Sequence, residues 1–574
     1  MLQKDVRPLT IFLLLAGVVG FVALSFWYDL GGYALLDNNE GIYAQIAREM
    51  LESGNYVTPF FNGMPYLEKP PLLFWLTALS YRLFGVSEFA ARVVPALSGS
   101  LLVLLAVWSG WRLVNPLTGA LAGLILASSV TVAALSRTLI FDMLLTLLLS
   151  ACLIWVYCWF ETQKRRYTLL AAGALGLAVL AKGLLPLVLV GLTVVTYAVS
   201  VRMPLATLKR LALDPYTITL FLAITLPWHI AACLARDGFA HFYFINEHIY
   251  RFLGVREPND YFSGPLYYYL PRVLMYLAPW SALLVYIFIR PISKLRPLMP
   301  LHRYLWCWVL TNLLFFSISQ NKANYYAFVV VLPLTLLLAA RMYHWIMHRY
   351  EVGMWALAVT ASGLVSMAVY GLMFTCSPQL NDLYPFCEDI QHHDAAVFAL
   401  FFVVALFSGL LRGRGWRRFA PVLILAGLSL PLLSLGLAAV HHYESKISQR
   451  AMAAHMNQTA PQADVYVVNK LSDVSSLRFY LERNVFIVDN DDADLFTGLN
   501  SPEGQGCAVT MNKLLRSPNP NPIFLAVNPD HEDFKKPLSP RRAMPIWPQP
   551  EVGGLQQSKL LKVVLTVTRC NATS

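Results

Sequence analysis

The feature that most constrains this chain is a succession of long apolar runs divided by short charged clusters. About 20 apolar residues in a helix cross a bilayer core, and runs of that length recur between residue 8 and about residue 440. Of 574 residues, 57% are hydrophobic and 13% charged, whereas soluble domains carry about 25% charged residues. In lipid every backbone N–H and C=O must be bonded within the protein, so the runs are read as helices. About thirteen spans result, at roughly 8–28, 92–113, 117–135, 143–160, 167–181, 184–200, 215–234, 271–290, 304–319, 325–340, 353–374, 395–411 and 420–440. The first run follows Lys4 and Arg7 and has no clean small-residue cleavage site after it. It reads as a retained helix rather than a signal peptide.

A net charge of +11 raises the question of nucleic acid. The cations, however, sit in short clusters between apolar runs, such as Lys164-Arg165-Arg166 and Arg412, Arg414, Arg417 and Arg418. That pattern encodes membrane topology and not a nucleic-acid-binding face, so no nucleic-acid partner is expected. Basic loops belong in the cytoplasm, which puts the N-terminus inside. An odd number of spans then puts the C-terminal tail outside. Residues 1–444 form the membrane domain in this reading, and the composition changes at about 445. Strand patterns at 464–468, 484–488, 523–527 and 560–567, with a helix at 472–483, predict a soluble α/β domain over 445–574 in a supporting role. The eight cysteines are too scattered for a zinc site or a disulfide framework. Cys376 with Cys387 and Cys507 with Cys570 are pairs that an oxidising compartment would allow to bridge. Nothing argues for an oligomer, so a monomer is expected.

The outward loops carry the unusual residues. The first, about 29–91, is long, and long loops commonly serve function. Its segments 42–51 and 72–84 are amphipathic at helical spacing and read as helices on the membrane surface; the second could instead begin a span. The loops bear Asp37, Asn39 and Glu40, then Glu68 and Lys69, then Arg137 and Asp142, then Lys182. Two more supply Glu247, His248 and Arg251, and Lys322 with Tyr326. Taken singly each has an ordinary reading: Lys69 or Lys182 as a snorkelling lysine, His248 as an interfacial histidine, Asp142 as a helix cap. Together on one face, charged groups this close to the membrane point to function. Cations suit a phosphate, and carboxylates suit acid–base work or a divalent metal ion.

The stretch NNEGIYAQIAREMLESGNYVTPFFNGMPYLEKPPLLFWL, followed by FGVSEFAARVVPAL, resembles the lipid A aminoarabinose transferases. These belong to a wider superfamily of dolichyl- and polyprenyl-phosphate-sugar-dependent mannosyltransferases. RTLIFD at 137–142, AKGLLP at 181–186, LPWH at 226–229, HIYRF at 248–252 and KANYY at 322–326 agree, so the likeness spans about residues 30–330. It implies a GT-C fold: an α-helical polytopic membrane protein with surface helices in the first outer loop. It also implies an undecaprenyl-phosphate sugar donor, with its phosphate near Lys69, Arg251 and Tyr326. Glu68 and His248 match positions where that family can hold a divalent metal ion, and Asp142 matches the second of its acidic site residues. One departure stands out. The family carries Asp-Glu, one residue, then Arg-Tyr-Ala in the first loop, where this chain has Asn39-Glu40-Gly41-Ile42-Tyr43-Ala44. An amide cannot take a proton as a carboxylate does. Asp37, Glu40 or Asp142 then serves instead, or the acceptor is already anionic and needs no base.

The expected reaction is glycosyl transfer from an undecaprenyl-phosphate sugar to lipid A or another envelope glycan on the outer side. Asp142 and Glu40 are the candidates for orienting or deprotonating the acceptor. Glu68, Lys69, His248, Arg251, Lys322 and Tyr326 are the candidates for the donor phosphate or metal. A protein serine or threonine is the alternative acceptor, and a lipid-linked-sugar transporter or flippase the alternative class. Transporters often show internal repeats and midplane charges; here no repeat is visible and the charges gather at one surface.

Overall fold

The computed structural model describes residues 7–258, 263–281, 283–284, 299–347, 419–510 (without 460, 482 and 491) and 513–514, with strand segments at 523–527, 543–545 and 563–567. The body is a bundle of helices: α1 (Pro8–Val22), α2 (Asn39–Ser53), α3 (Leu72–Phe84), α4 (Glu88–Leu113), α5 (Pro116–Ala127), α6 (Val130–Ser136), α7 (Phe141–Thr162), α8 (Arg165–Lys182) and α9 (Leu185–Ser200). Helices Pro215–Ala235, Met299–Ile318, Val331–Met347, Ala420–Gly427 and Ser429–His442 follow. Among the described residues six helices are long and apolar enough to cross a membrane, or seven if the bent pair α5–α6 is one span. The expected spans at 353–374 and 395–411, and the later part of 271–290, lie outside the described residues, as do Cys376, Cys387 and Cys570.

Small residues let the helices approach closely, as membrane packing requires. A methyl group added to Gly119 on α5 would fall 2.5 Å from the Val107 carbonyl oxygen of α4. Between α5 and α6 the axis turns by 66°. Ser128 and Ser129 stand at the bend, and their hydroxyls donate to the carbonyls of Leu124 and Ile125 at 2.6 Å each. Side-chain bonds of this kind compete with the helical ladder and bend it. The bend aims Arg137, just past α6, at the end of the first helix. There it donates to the carbonyls of Tyr28 and Asp29 at 2.6 and 2.8 Å. Arg137 therefore closes a helix terminus.

In the first outer loop, 42–51 is helical within α2 and 72–84 is a helix of its own, separated from α4 by a turn. Among the described residues the C-terminal segment holds a six-stranded sheet in the order β5-β4-β3-β6-β8-β7. The strands are β3 (Asp464–Val468), β4 (Phe486–Val488), β5 (Ala508–Val509), β6 (Ile523–Val527), β7 (Ala543–Pro545) and β8 (Val563–Val567). β4 and β6 flank β3 in parallel, and β8 runs antiparallel to β6. The expected helix is present as a turn at Ser472–Val474 and a helix at Ser476–Leu481.

This unit is fastened to the first outer loop by buried polar bonds. Asn62 donates to the Val485 carbonyl at 2.7 Å and accepts from the Val485 amide at 2.9 Å. Asp37 accepts from the Ser476 amide and hydroxyl at 3.1 and 2.8 Å, and from the Gln449 side chain at 2.5 Å. Gly41 lies so close to Ser475 that an added methyl carbon would sit 2.5 Å from its hydroxyl oxygen. The sheet thus rides on α2 as part of one packed body.

Candidate active site

Where the outer loops converge they enclose a cavity of about 620 Å³, bounded by α2, the segment after β2 (Met64–Pro65), α7, the α8–α9 turn, the helical segment 247–253 and residues 315–326. One wall is apolar and includes Leu184, Val188, Phe252, Leu253 and Phe315. Val188 and Leu253 remain exposed, so the cavity opens onto an apolar outer surface.

Lys69 and Arg251 lie at the two ends of a chain of alternating charges. Lys69 donates to Glu68 at 3.2 Å; Arg256 bridges the other Glu68 oxygen to Glu247; Arg251 donates to the second Glu247 oxygen at 2.7 Å. Among the described residues these three cations meet two anions, and both terminal cations line the cavity. Burial pushes the Glu68 carboxyl up, but Lys69, Arg256 and Arg251 together outweigh it and hold the group below its ordinary value. Arg251 also donates to the Tyr326 hydroxyl at 3.3 Å. Glu247 stood within the sequence pattern around His248. Arg256 carried no motif and is identified only by its place between two carboxylates.

Across the cavity, Asp142 in the first turn of α7 accepts from Lys182 at 2.5 Å. Lys182 ends α8, and its ammonium lies 4.7 Å from the centre of the Tyr326 ring. The following turn needs a left-handed residue, Gly183 with φ of 69°, and a methyl carbon there would fall 2.0 Å from the His248 Nε2. Only glycine fits. The His248 Nε2 accepts from the Leu184 amide at 2.9 Å, and its Nδ1 lies 2.6 Å from the Tyr243 carbonyl. His248 thereby latches the turn that positions Lys182. Burial lowers its pKa, and the chiefly opposing influence is the bond to the Tyr243 carbonyl.

The sequence expectation of a metal on Glu68 and His248 does not fit this arrangement. Both Glu68 oxygens are taken by cations and both His248 ring nitrogens by backbone groups. Among the described residues no group of three histidine, cysteine or carboxylate side chains gathers in a form that could hold an ion.

Three other candidates have partners of their own. Glu40 is 2% exposed and Arg92 0%. The carboxylate accepts from Arg92 Nε and Nη2 at 2.9 and 2.8 Å and from the Leu139 and Leu36 amides at 3.1 and 2.9 Å. All its lone pairs are engaged away from the cavity, so it holds the loop in place. Asp37 faces the C-terminal unit, as described above. Lys322 does line the cavity, but its ammonium donates to the carbonyls of Ser317, Ser319 and Phe316 at 2.8, 2.6 and 3.4 Å. An ammonium has three donors, and here all three close the end of helix Met299–Ile318.

Asn39 lines the cavity, where its side-chain oxygen accepts from the Tyr43 hydroxyl at 2.8 Å. Asp494, from the C-terminal unit, lines it too. Its only sequence signal was the acidic run DNDDAD at 489–494, which ordinarily marks a solvated face.

Residues 11–243 match the pattern of the family described as dolichyl-phosphate-mannose-protein mannosyltransferase. An undecaprenyl phosphate-alpha-4-amino-4-deoxy-L-arabinose arabinosyl transferase of Aeromonas salmonicida is 28% identical over 510 residues, covering 85% of this chain and 88% of that one. Its namesake from an Enterobacter species is 33% identical over 328 residues, covering 56% and 58%. The crystal structure of ArnT from Cupriavidus metallidurans bound to undecaprenyl phosphate superposes with a TM-score of 0.78 at 24% identity, over 98% of this chain and 99% of that one. Over residues 11–243 the chain is thus similar to the mannosyltransferase family, and over most of its length it is similar to the aminoarabinose transferases.

Proposed function

We propose that the chain transfers a sugar from an undecaprenyl-phosphate donor to lipid A or another envelope glycan. It does so on the periplasmic side of the bacterial inner membrane, as a monomer. The observation that carries this reading is the cavity itself: an apolar wall open to the outer surface, ending at the cations Lys69 and Arg251 and facing the Asp142–Lys182 pair. A polyprenyl chain enters along Val188 and Leu253 while its phosphate meets the ends of the charge network.

The acceptor oxygen forms a bond to the anomeric carbon, and the carbon–oxygen bond to the phosphate breaks with its electron pair leaving on the phosphate. Lys69 and Arg251 are fixed in advance where that charge develops, which is where preorganised donors lower a barrier most. Lys182 bonds Asp142 and keeps it aimed into the cavity, so Asp142 receives the proton of a hydroxyl acceptor, whereas an acceptor that is already anionic needs no base. The glutamates 68 and 247 and Arg256 position the terminal cations. In this reading the N-terminus is cytoplasmic, about thirteen spans form the membrane domain of residues 1–444, and residues 445–574 form the periplasmic domain.

The test is lipid analysis of a host with and without the gene, alongside Lys69→Ala and Asp142→Asn. One added sugar mass on lipid A or another glycan, abolished by both substitutions at unchanged expression, is the expected result. If no envelope component changes mass and polyprenyl-phosphate sugars merely shift between leaflets, the chain is a transporter.

A further inference from the structure

Arg256 reaches the charge network through a tight reversal of the chain. The short helix Arg251–Leu253 ends at Gly254, whose φ of 75° is left-handed. A methyl carbon there would also fall 2.8 Å from the Gln320 Cβ, so glycine meets both demands. The Val255 amide then bonds back to the Tyr250 carbonyl at 2.9 Å. On the other side Asn246 clasps Glu257: its side chain donates to the Glu257 carbonyl at 3.0 Å and accepts from the Glu257 amide at 3.3 Å. Held on both sides, the backbone delivers the Arg256 guanidinium between two carboxylates. Its Nε donates to Glu247, one Nη to Glu68, and the other Nη to the Pro258 carbonyl at 3.1 Å.

We propose that Arg256 does here what a bridging divalent cation would do, so that the site takes up a polyprenyl phosphate without a metal ion. The inference rests on the glycosyl-transfer reading above. Glu68 and Glu247 come from different outer loops, and both are buried together with Arg256. Two buried carboxylates that share a neighbour repel each other unless a cation lies between them, and such a pair of oxygen ligands ordinarily suits a hard divalent ion. A guanidinium fills the same place with a planar fork of donors. It stays charged at every working pH, and as part of the chain it does not dissociate. A metal ion brought to Glu68 would meet Lys69 on one oxygen and Arg256 on the other. To bind, it must displace one of them. The bridge also has a consequence for the phosphate. Glu68 holds Lys69 and Glu247 holds Arg251, so joining the two carboxylates fixes the two cavity cations relative to each other. Arg256 does not itself line the cavity; it is a positioning residue.

The test measures the Kd of undecaprenyl phosphate for the purified full chain, in EDTA and in manganese chloride, beside elemental analysis of the protein. Wild type is expected to carry no stoichiometric metal and to bind with the same Kd in both conditions. Arg256→Ala should weaken binding about tenfold or more, because removing one partner of a buried charge network leaves the others uncompensated. In that variant Glu68 and Glu247 face each other without their bridge, and manganese should restore most of the lost affinity while leaving wild type unmoved. A purely structural role for Arg256 gives no such metal response. Should the alanine variant fail to fold, Arg256→Lys, which keeps the charge but not the fork, gives the same comparison with a smaller loss. Stoichiometric metal in wild type, or wild-type binding weakened by EDTA, overturns the inference. So does undiminished binding in Arg256→Ala, or a loss there that manganese does not touch. A wild-type protein that binds no undecaprenyl phosphate in either condition overturns the glycosyl-transfer reading itself, a different result from a wild type that binds it only with metal.

Discussion

Two carboxylate–cation pairs lie within a few turns of each other and have different fates. Glu40 with Arg92 is enclosed, and every oxygen and most of the guanidinium is bonded: to each other, to two amides, to the carbonyls of Leu30, Tyr33 and Ala34, and to the face of Tyr33. Asp142 with Lys182 shares a single bond of 2.5 Å and opens onto a cavity. The first pair fixes the backbone of the outer loop against α4. The second is held in place and still faces substrate space. Polar groups that are fully paired serve the fold, whereas ones positioned with room beside them serve chemistry.

Removing one partner of each pair separates these roles, and the largest effect belongs to the enclosed pair. Arg92→Ala leaves Glu40 charged and buried, which costs about 3–5 kcal/mol. The expected outcome is loss of detergent-extractable protein, or a thermal transition lowered by many degrees, measured by scanning fluorimetry. In contrast, Lys69→Ala and Lys182→Ala should leave the transition close to wild type and reduce transfer by about 100-fold or more, the range for a donor aimed at developing charge. If Lys182→Ala unfolds the protein while Arg92→Ala is tolerated, the division between the two pairs is wrong.

A smaller effect is expected where the two halves of the molecule are joined. Asn62→Ala removes two buried bonds to Val485 and leaves a backbone amide and carbonyl unsatisfied, costing about 1–3 kcal/mol. Limited proteolysis between 445 and 490 should accelerate, and transfer should fall in step if the C-terminal unit closes the site. Faster cleavage with full activity would show that the unit is dispensable to the chemistry.

How much of this was legible in the sequence follows from the same contrast. The apolar runs announced helices because backbone groups in lipid have no other partner, and β3 and β6 carried hydrophobic runs that could be read directly. The outer-loop motifs led to Lys69, Asp142, Arg251 and Tyr326, all of which line the cavity. Sequence proximity then misled. Glu40 and Asp37 flank Asn39, yet one turns toward Arg92 and the other toward Ser476, 52 and 439 positions away. Whether a carboxylate meets a cavity or a partner depends on which distant segment packs beside it, and periodicity does not encode that. Lys322 lines the cavity as expected, but its partners, the carbonyls at the end of the preceding helix, leave no trace in composition. Asp494 sits in an acidic run that carries no motif, and only the fold shows that it lines the cavity.

The contrast also predicts a pH response. His248 is neutral, and its Nε2 must accept from the Leu184 amide to hold the Lys182 turn. Burial lowers its pKa below the ordinary 6.5. The unfolded chain therefore takes up this proton first, so the contribution of His248 to stability is complete above about pH 6.5 and declines as pH falls toward the depressed folded value. Transfer should be level near neutrality and fall on the acid side as the protonated ring loses its acceptor. His248→Gln, which cannot titrate, should weaken that acid limb relative to the plateau. An acid limb unchanged in the variant would assign the titration to another group.

The smallest expected effect is at Asn39, where the resemblance drawn from the sequence implied an aspartate. Its side-chain oxygen accepts the Tyr43 hydroxyl at 2.8 Å, and Tyr43 is buried against Phe141, the residue before Asp142. In Asn39→Asp the acceptor remains and the tyrosine keeps its place. The added charge enters a wall already holding Asp142 and Asp494, with Lys182 bonded to Asp142. Transfer should then change by less than about tenfold, the scale of one neutral hydrogen bond. Asn39→Leu removes the acceptor, strands a buried hydroxyl, and should cost more than the aspartate does. A large gain in Asn39→Asp would mean that the reaction is limited by want of a base at this position and that Asp142 alone does not supply one. A large loss would mean that the added charge displaces the Asp142–Lys182 geometry, making the amide a condition of this particular arrangement.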